Sequence, residues 1–298
     1  MKKFLKRNIV VMIILMIFGG IFLYGDYLSI KSFREMEESR NYYVEQCKTK
    51  EIESEGERNF CQKILADEVV EPDFYSVLSV SLTNIQFVFY FVFFAGVIPP
   101  LILICKMFKN KYILNSNLRE SYKSFIKKLL FTAYKYLWIL PVLAIILMLP
   151  LLFTYSLTPE YSILYGIGWS SKLIYYPILF ILLYLLNILI VSMIYVNISL
   201  VIARFKHKMI PCIILSYITF FTIEIFFEIV LRVLILQRIF HTELGMIFNI
   251  MNIFGFDDLF GIPALFIVNI SLLLLSFLGV YLAYKNKEKF IMSCEANN

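Results

Sequence analysis

Charge is scarce in this 298-residue chain: Asp, Glu, Lys and Arg make up 17% of it, against about 25% in soluble domains. That level excludes a disordered polyelectrolyte. Cysteine occurs five times, too few for a disulfide scaffold of this length. Histidine occurs twice, as His207 and His241. Neither belongs to an H-E-x-x-H pattern, so that type of two-histidine metal site is excluded. None of the eleven glycines opens a G-x-x-x-x-G-K-[ST] run, so ATP is not held on a phosphate loop of this chain. Gly166-Ile-Gly168-Trp-Ser170 departs from the G-x-S-x-G elbow of the hydrolases. Asp257–Asp258 reads as a solvated turn. No catalytic constellation is left, so an enzyme is not expected, nor is a cofactor.

What is abundant is apolar surface. Hydrophobic residues reach 60% and the mean hydropathy is +0.77. A water-soluble fold has no interior large enough to hide that much, so part of the solvent must be lipid. Runs of about 20 apolar residues suffice to cross a bilayer as helix. Six are found, near residues 8–28, 79–105, 130–155, 173–203, 209–236 and 262–284. Each must be helical, because a lone strand would leave its backbone groups unpaired in hydrocarbon. The expected fold class is all-α: a polytopic membrane protein of six transmembrane helices forming one domain over residues 1–298.

Orientation follows from the basic residues. With both termini inside, the inside segments hold Lys2, Lys3, Lys6 and Arg7; then Lys106 to Lys135; then Arg204, Lys206 and Lys208; then Lys285, Lys287 and Lys289. These are most of the 28 basic residues, and every short inside loop is basic, as the positive-inside rule requires. The two histidines then fall on opposite sides. The first run is too long for the apolar core of a signal peptide and lacks a small-x-small site after it, so it is read as a retained span. Basic loops this short and this close to lipid do not suit nucleic acid.

Three segments lie outside the bilayer. Residues 29–73 are extracellular, rich in Glu and poor in large apolar residues, with Ile30–Val44 continuing the first helix. Cys47 and Cys61 both fall there. An oxidising compartment permits a disulfide between them; two free thiols are the alternative, since sequence does not supply the Cα separation. Residues 106–129 form a cytoplasmic loop. Asn117 and Glu120 have N-cap and N3 chemistry, so a helix is expected from Leu118. Leu118, Tyr122, Phe125 and Leu129 then share one face, while Arg119, Lys123 and Lys127 lie elsewhere. Such a helix rests on anionic lipid or docks a cytosolic partner. Residues 242–260 are apolar but too short to cross and return, and read as short re-entrant or interfacial helices.

Two features inside the bilayer stand out. Pro99, Pro100 and Pro177 fall within runs and are expected to bend them. The fifth run carries Glu224, Glu228 and Arg232, spaced i, i+4, i+8 and therefore on one α-helical face. A charge at mid-bilayer costs about 2.5–3.5 kcal/mol. That face must look into protein or a wet cavity, either as the wall of a transport path or as a salt bridge locking the helix to Asn187 or Asn197 of the fourth run.

This layout resembles the membrane (permease) subunits of bacterial ATP-binding-cassette transporters of the type-2 exporter class. In that family a coupling helix lies between spans 2 and 3, where Asn117–Leu129 lies here, and re-entrant helices lie between spans 5 and 6. The resemblance implies that a separate cytosolic ABC ATPase subunit grips a docking set of Asn117, Leu118, Arg119, Glu120, Tyr122 and Phe125. It also implies a second permease copy or a sister permease, a bacterial plasma membrane location, and export of an amphipathic or lipophilic substrate such as a peptide, bacteriocin or antibiotic. The competing expectation is a non-transport membrane protein, an accessory, immunity or sensor factor that uses residues 29–73 for recognition.

Overall fold

The computed structural model describes residues 2–49, 58, 61–62, 65, 70–109, 121–166, 172–239, 241 and 262–288. Among them there is no strand, only an isolated bridge between Asp73 and Ser156. The helices are α1 (Lys2–Thr49), α2 (Phe74–Asn84), α3 (Gln86–Lys109), α4 (Tyr122–Tyr134), α5 (Ile139–Thr154), α6 (Glu160–Tyr165), α7 (Pro177–Ala203), α8 (Met209–Ile225) and α9 (Ile262–Tyr284). A π-helical segment, Phe226–Gln237, continues α8. Five helical stretches are long and apolar enough to cross a membrane: Ile9–Thr49, Gln86–Phe108, Tyr122–Thr154, Pro177–Ala203 and Ile262–Tyr284. Met209–Ile223 is apolar but shorter, and the π segment supplies the rest of its length. The long apolar helices mark a membrane-embedded protein.

At 1.5 Å per residue, α1 extends about 72 Å, more than twice the roughly 30 Å of a hydrocarbon core. Its first half is apolar, and its second half carries Lys31, Arg34, Glu35, Glu37, Glu38 and Arg40. It therefore projects well beyond any bilayer it crosses. A disulfide joins Cys47 on this projection to Cys61, with the Cα atoms 5.4 Å apart. α1 seats on α2 through Gly25, where a Cβ would run into the side chain of Ile85.

α7 is the central element, with α3, α5, α8 and α9 packed around it. Pro177 sits at its first turn, after Tyr176 as N-cap. The expected bend there is absent, because the first turn has no intrahelical acceptor for the missing N–H and tolerates proline. Pro99 and Pro100 do lie inside α3, and Pro150 lies inside α5. α3 and α8 are zipped by rings: Phe93 stacks on Phe220 with centroids 4.8 Å apart, and Phe94 on Tyr217 at 4.6 Å.

Three of the expected spans are not uniform α-helices. The second breaks at Ile85, between α2 and α3. The third is α4 and α5 joined by a turn at residues 135–138. The fifth changes pitch at Phe226; the Arg238 N–H reaches back five residues to the Val233 carbonyl, 3.2 Å away. Such i→i+5 segments are rare and recur at functional sites.

One carboxylate pins the end of the bundle where α2 begins. Asp73 is 1% exposed and caps α2, accepting the Ser76 N–H at 2.8 Å while Ser76 Oγ accepts the Asp73 N–H at 3.2 Å. The same carboxylate accepts the Ser162 N–H at 2.8 Å and the Ser162 hydroxyl at 2.6 Å, both from α6. The Phe74 N–H donates to the Ser156 carbonyl at 2.9 Å alongside. Hydrogen bonds to a charged group contribute about 1.5–3 kcal/mol each, and buried donors left unmade cost more. Asp73→Ala should therefore lower unfolding free energy in detergent by about 3 kcal/mol, and Asp73→Asn by less. A loss below about 1 kcal/mol for the alanine variant in a denaturant titration would contradict this.

Candidate functional site

The helices gather their chain ends into two groups. The ends of α3, α7 and α9 and the starts of α4 and α8 lie together, and this basic end carries Lys106, Lys123, Lys127, Arg204, Lys206, Lys208 and Lys285. Here α4 is fastened to the bundle. Ser121 caps it, its Oγ accepting the Ser124 N–H at 3.3 Å, from an extended backbone with φ −69° and ψ 148°. The helix expected to run from Leu118 thus starts at Tyr122 instead. Asn117, Leu118, Arg119 and Glu120 lie outside the described residues.

Of the expected docking set, Tyr122 and Phe125 are described, and both are engaged by the chain itself. The Tyr122 hydroxyl donates to the Tyr284 carbonyl at 2.6 Å. Phe125 is 1% exposed, buried with Leu129 and Ala133 one and two turns on. The apolar stripe read from the sequence therefore faces the bundle, and Phe125 offers no surface to a partner. Further along, the Tyr134 hydroxyl donates to Asn197 Oδ1 at 2.6 Å. Arg204 Nε donates to the Ala283 carbonyl at 3.2 Å, and the Tyr284 hydroxyl donates to the Leu200 carbonyl at 2.8 Å. α4 is thereby tied to α7 and α9 at once.

An open cleft of about 480 Å³ lies between α7, α8 with its π segment, and α9. Tyr195, Phe220, Phe226 and Phe227 supply most of its aromatic wall, and Thr222, Asn269 and Ser276 its polar part. Asn187 and Asn197, the expected partners of the fifth span, both bond to α9. Asn269 Nδ2 donates to Asn187 Oδ1 at 2.6 Å, and Asn197 Nδ2 donates to Ser276 Oγ at 2.8 Å. Both amides join α7 to α9.

Glu224 and Glu228 belong to the segment that contributes Ile223, Phe226 and Phe227 to the cavity; their side chains lie outside the described residues. Arg232 is half-buried. The one-face spacing of these three assumed α pitch throughout, and the pitch changes at Phe226. The re-entrant segment expected at 242–260 also lies outside the described residues.

A second cavity, of about 360 Å³, lies at the other end, between the projecting half of α1 and α6. Phe33, Met36, Glu37, Arg40, Tyr161 and Tyr165 are among its lining. Tyr161 packs edge-on against Phe33 with centroids 5.7 Å apart. Burial raises its phenol above the ordinary value, the neighbouring Tyr165 and Asp73 add to the rise, and Arg40 opposes it. No three or more His, Cys, Asp or Glu side chains come together to hold a metal ion among the described residues.

Four residues with chemical consequence were missed in the sequence. Asp73 and Asn269 carry tertiary hydrogen bonds whose partners, Ser162 and Asn187, are distant in sequence. Asp26 falls at the end of an apolar run, where a charge is ordinary. His207 sits in a three-cation loop, yet it is 5% exposed and edge-on to Phe108 at 5.2 Å. Only Asp73 left a legible trace, three residues before Ser76 at a helix start.

Comparison with known proteins adds nothing to these observations: a scan against protein families, a search of curated proteins and a search of solved structures each return no match to this chain.

Burial pushes the His207 imidazole below its ordinary 6.5, and the nearby Arg204 guanidinium pushes the same way, against a hydrogen bond to the Arg204 backbone. The folded state thus holds the neutral ring, and the unfolded chain binds the proton more readily. Stability from this site is full above about pH 6.5 and is lost as pH falls through the depressed folded value. Wild type should melt lower at about pH 5 than at about pH 7.5, and His207→Phe should reduce the difference. Equal slopes in the two proteins would remove His207 from the account.

Proposed function

We propose that the chain is the membrane-spanning permease subunit of an ABC transporter, driven by a separate cytosolic ATPase and exporting an amphipathic or lipophilic substrate. In this reading both termini face the cytosol, six helices cross the plasma membrane of a bacterium, and the basic end is the cytosolic one, in keeping with the positive-inside rule. A second permease, identical or a sister chain, completes the transport path.

The observation that supports it best is the fastening of α4. A coupling element must transmit a push, and a segment loosely attached to the bundle would absorb it. Tyr122 holds the Tyr284 carbonyl and Tyr134 holds Asn197. Displacement of residues 106–121 by an ATPase would reach α9 and α7 without slack. These two helices and α8 bound the 480 Å³ cavity, so movement at the basic end alters a lipophilic compartment in the membrane. That is alternating access by rigid-body motion, with the energy supplied by the partner. The docking surface in this reading is residues 117–120, and Tyr122 and Phe125 pass the load on.

Isolation of the tagged chain in gentle detergent from its native membrane should bring down a cytosolic ATPase in near-equal amount. Leu118→Asp should abolish that association while leaving membrane insertion intact. Tyr122→Phe should keep the association and lower substrate-stimulated ATP hydrolysis severalfold. An intact chain that brings down no ATPase would reject the transporter reading in favour of an accessory, immunity or sensor role.

A further inference from the structure

The projecting half of α1 forms one wall of the 360 Å³ cavity. Phe33, Met36, Glu37 and Arg40 line it. Their spacing is i, i+3, i+4 and i+7, so a single α-helical face supplies all four. α6 supplies Tyr161 and Tyr165, one turn apart, with ring centroids separated by 4.4 Å and planes tilted by 43°. Val70, Glu71 and Pro72 form the remaining wall. The space is at the small end of the about 300–1,000 Å³ typical of ligand sites. It suits a small molecule, not a folded partner.

The walls are set before anything enters. Phe33 and Tyr161 are buried and meet edge-on, which joins α1 to α6. Asp73 follows directly on Pro72 and holds the Ser162 N–H and hydroxyl. One carboxylate thus locates both the 70–72 wall and the α6 wall. The Cys47–Cys61 disulfide ties the chain ahead of Val70 back to α1. A site arranged in advance loses little affinity to the ordering of its own groups.

The charges select the ligand. Among the described residues the lining holds two carboxylates, Glu37 and Glu71, both exposed, against one guanidinium, Arg40, half-buried. The balance is negative. Neither glutamate is in an ion pair with a described residue. Arg40 acts on the Tyr161 phenol. Arg34, the next cation along α1, is not part of the lining and acts on Tyr155. Aromatic rings add to the preference, because their faces attract cations. An anion entering here would meet two carboxylates. A neutral apolar molecule would find the rings but would leave the carboxylates without a counter-charge.

We infer that this cavity is a binding site for a small organic cation: Glu37 and Glu71 hold its ammonium or guanidinium group, and Phe33, Met36 and Tyr165 take its apolar body. The inference does not rest on the transporter reading, because the walls and charges of the site all belong to this chain.

Calorimetric titration of the full-length protein in nanodiscs of zwitterionic lipid tests this, with empty nanodiscs as the blank. Phenethylammonium is the probe, 2-phenylethanol its neutral counterpart and phenylacetate its anionic one. The cation should bind saturably, severalfold more tightly than either counterpart, and its affinity should fall as salt is raised. Joint Glu37→Gln and Glu71→Gln substitution should weaken its binding severalfold, and so should Tyr165→Leu. Melting temperatures should stay at the wild-type value, since all three side chains are exposed. No saturable heat with the cation would overturn the inference. So would equal affinity for the alcohol, or undiminished affinity in the folded double-glutamine variant.

Discussion

Hydrocarbon offers no hydrogen bonds, and every polar group carried into it must find a partner within the protein. The organisation of this bundle depends on how α7 meets that constraint. α7 is apolar enough to cross a membrane, yet it buries Asn187, Ser192, Asn197 and Ser199. Each amide is satisfied by a neighbouring helix: Asn187 by Asn269 of α9, Asn197 by Tyr134 of α4 and Ser276 of α9. Ser192 Oγ lies 3.3 Å from the Leu137 carbonyl, at the turn between α4 and α5. Apolar contact alone gives little preference among helices in lipid, since acyl chains are as apolar as leucine. Hydrogen bonds at fixed heights along α7 supply that preference, and they place α9 and α4 at defined depths beside it.

The same bonds explain why the basic end behaves as one piece. α4 has an apolar stripe of modest size, and by itself it would be an interfacial helix free to slide on the membrane. Tyr122 and Tyr134 remove that freedom at its two ends, with Phe125, Leu129 and Ala133 buried between them. Arg204 extends the fastening by holding the last turn of α9 from the loop after α7. In the proposed transporter this stiffness is what a coupling element needs. α8, held to α3 mainly by stacked rings, has a contact surface better suited to sliding than a set of directional bonds.

Hydropathy made the apolar helices legible, because the cost of exposing backbone in lipid leaves one solution for each long run. The expected runs near 173–203 and 262–284 fall on α7 and α9. Hydropathy did not show the break at Ile85, the turn at 135–138 or the pitch change at Phe226, since each leaves the run equally apolar. Pro177 illustrates the limit: its residue type signals a bend, but its position at the first turn of α7 decides that none occurs. The docking face was legible as an amphipathic stripe, but a stripe does not say whether it meets lipid, a partner or its own bundle. Phe125 meets its own bundle, and that depends on α7 and α9, far away in sequence.

Asp26 and Asp73 show why residue type and burial together still underdetermine chemistry. Both are aspartates, at 2% and 1% exposure. Asp73 receives two backbone N–H groups and a hydroxyl. Asp26 receives none. The Asp73 carboxyl joins α2 to α6. What separates them is whether donors converge on the carboxyl, as the N–H groups of Ser76 and Ser162 and the Ser162 hydroxyl converge on Asp73, and that convergence depends on α6 folding back over the start of α2.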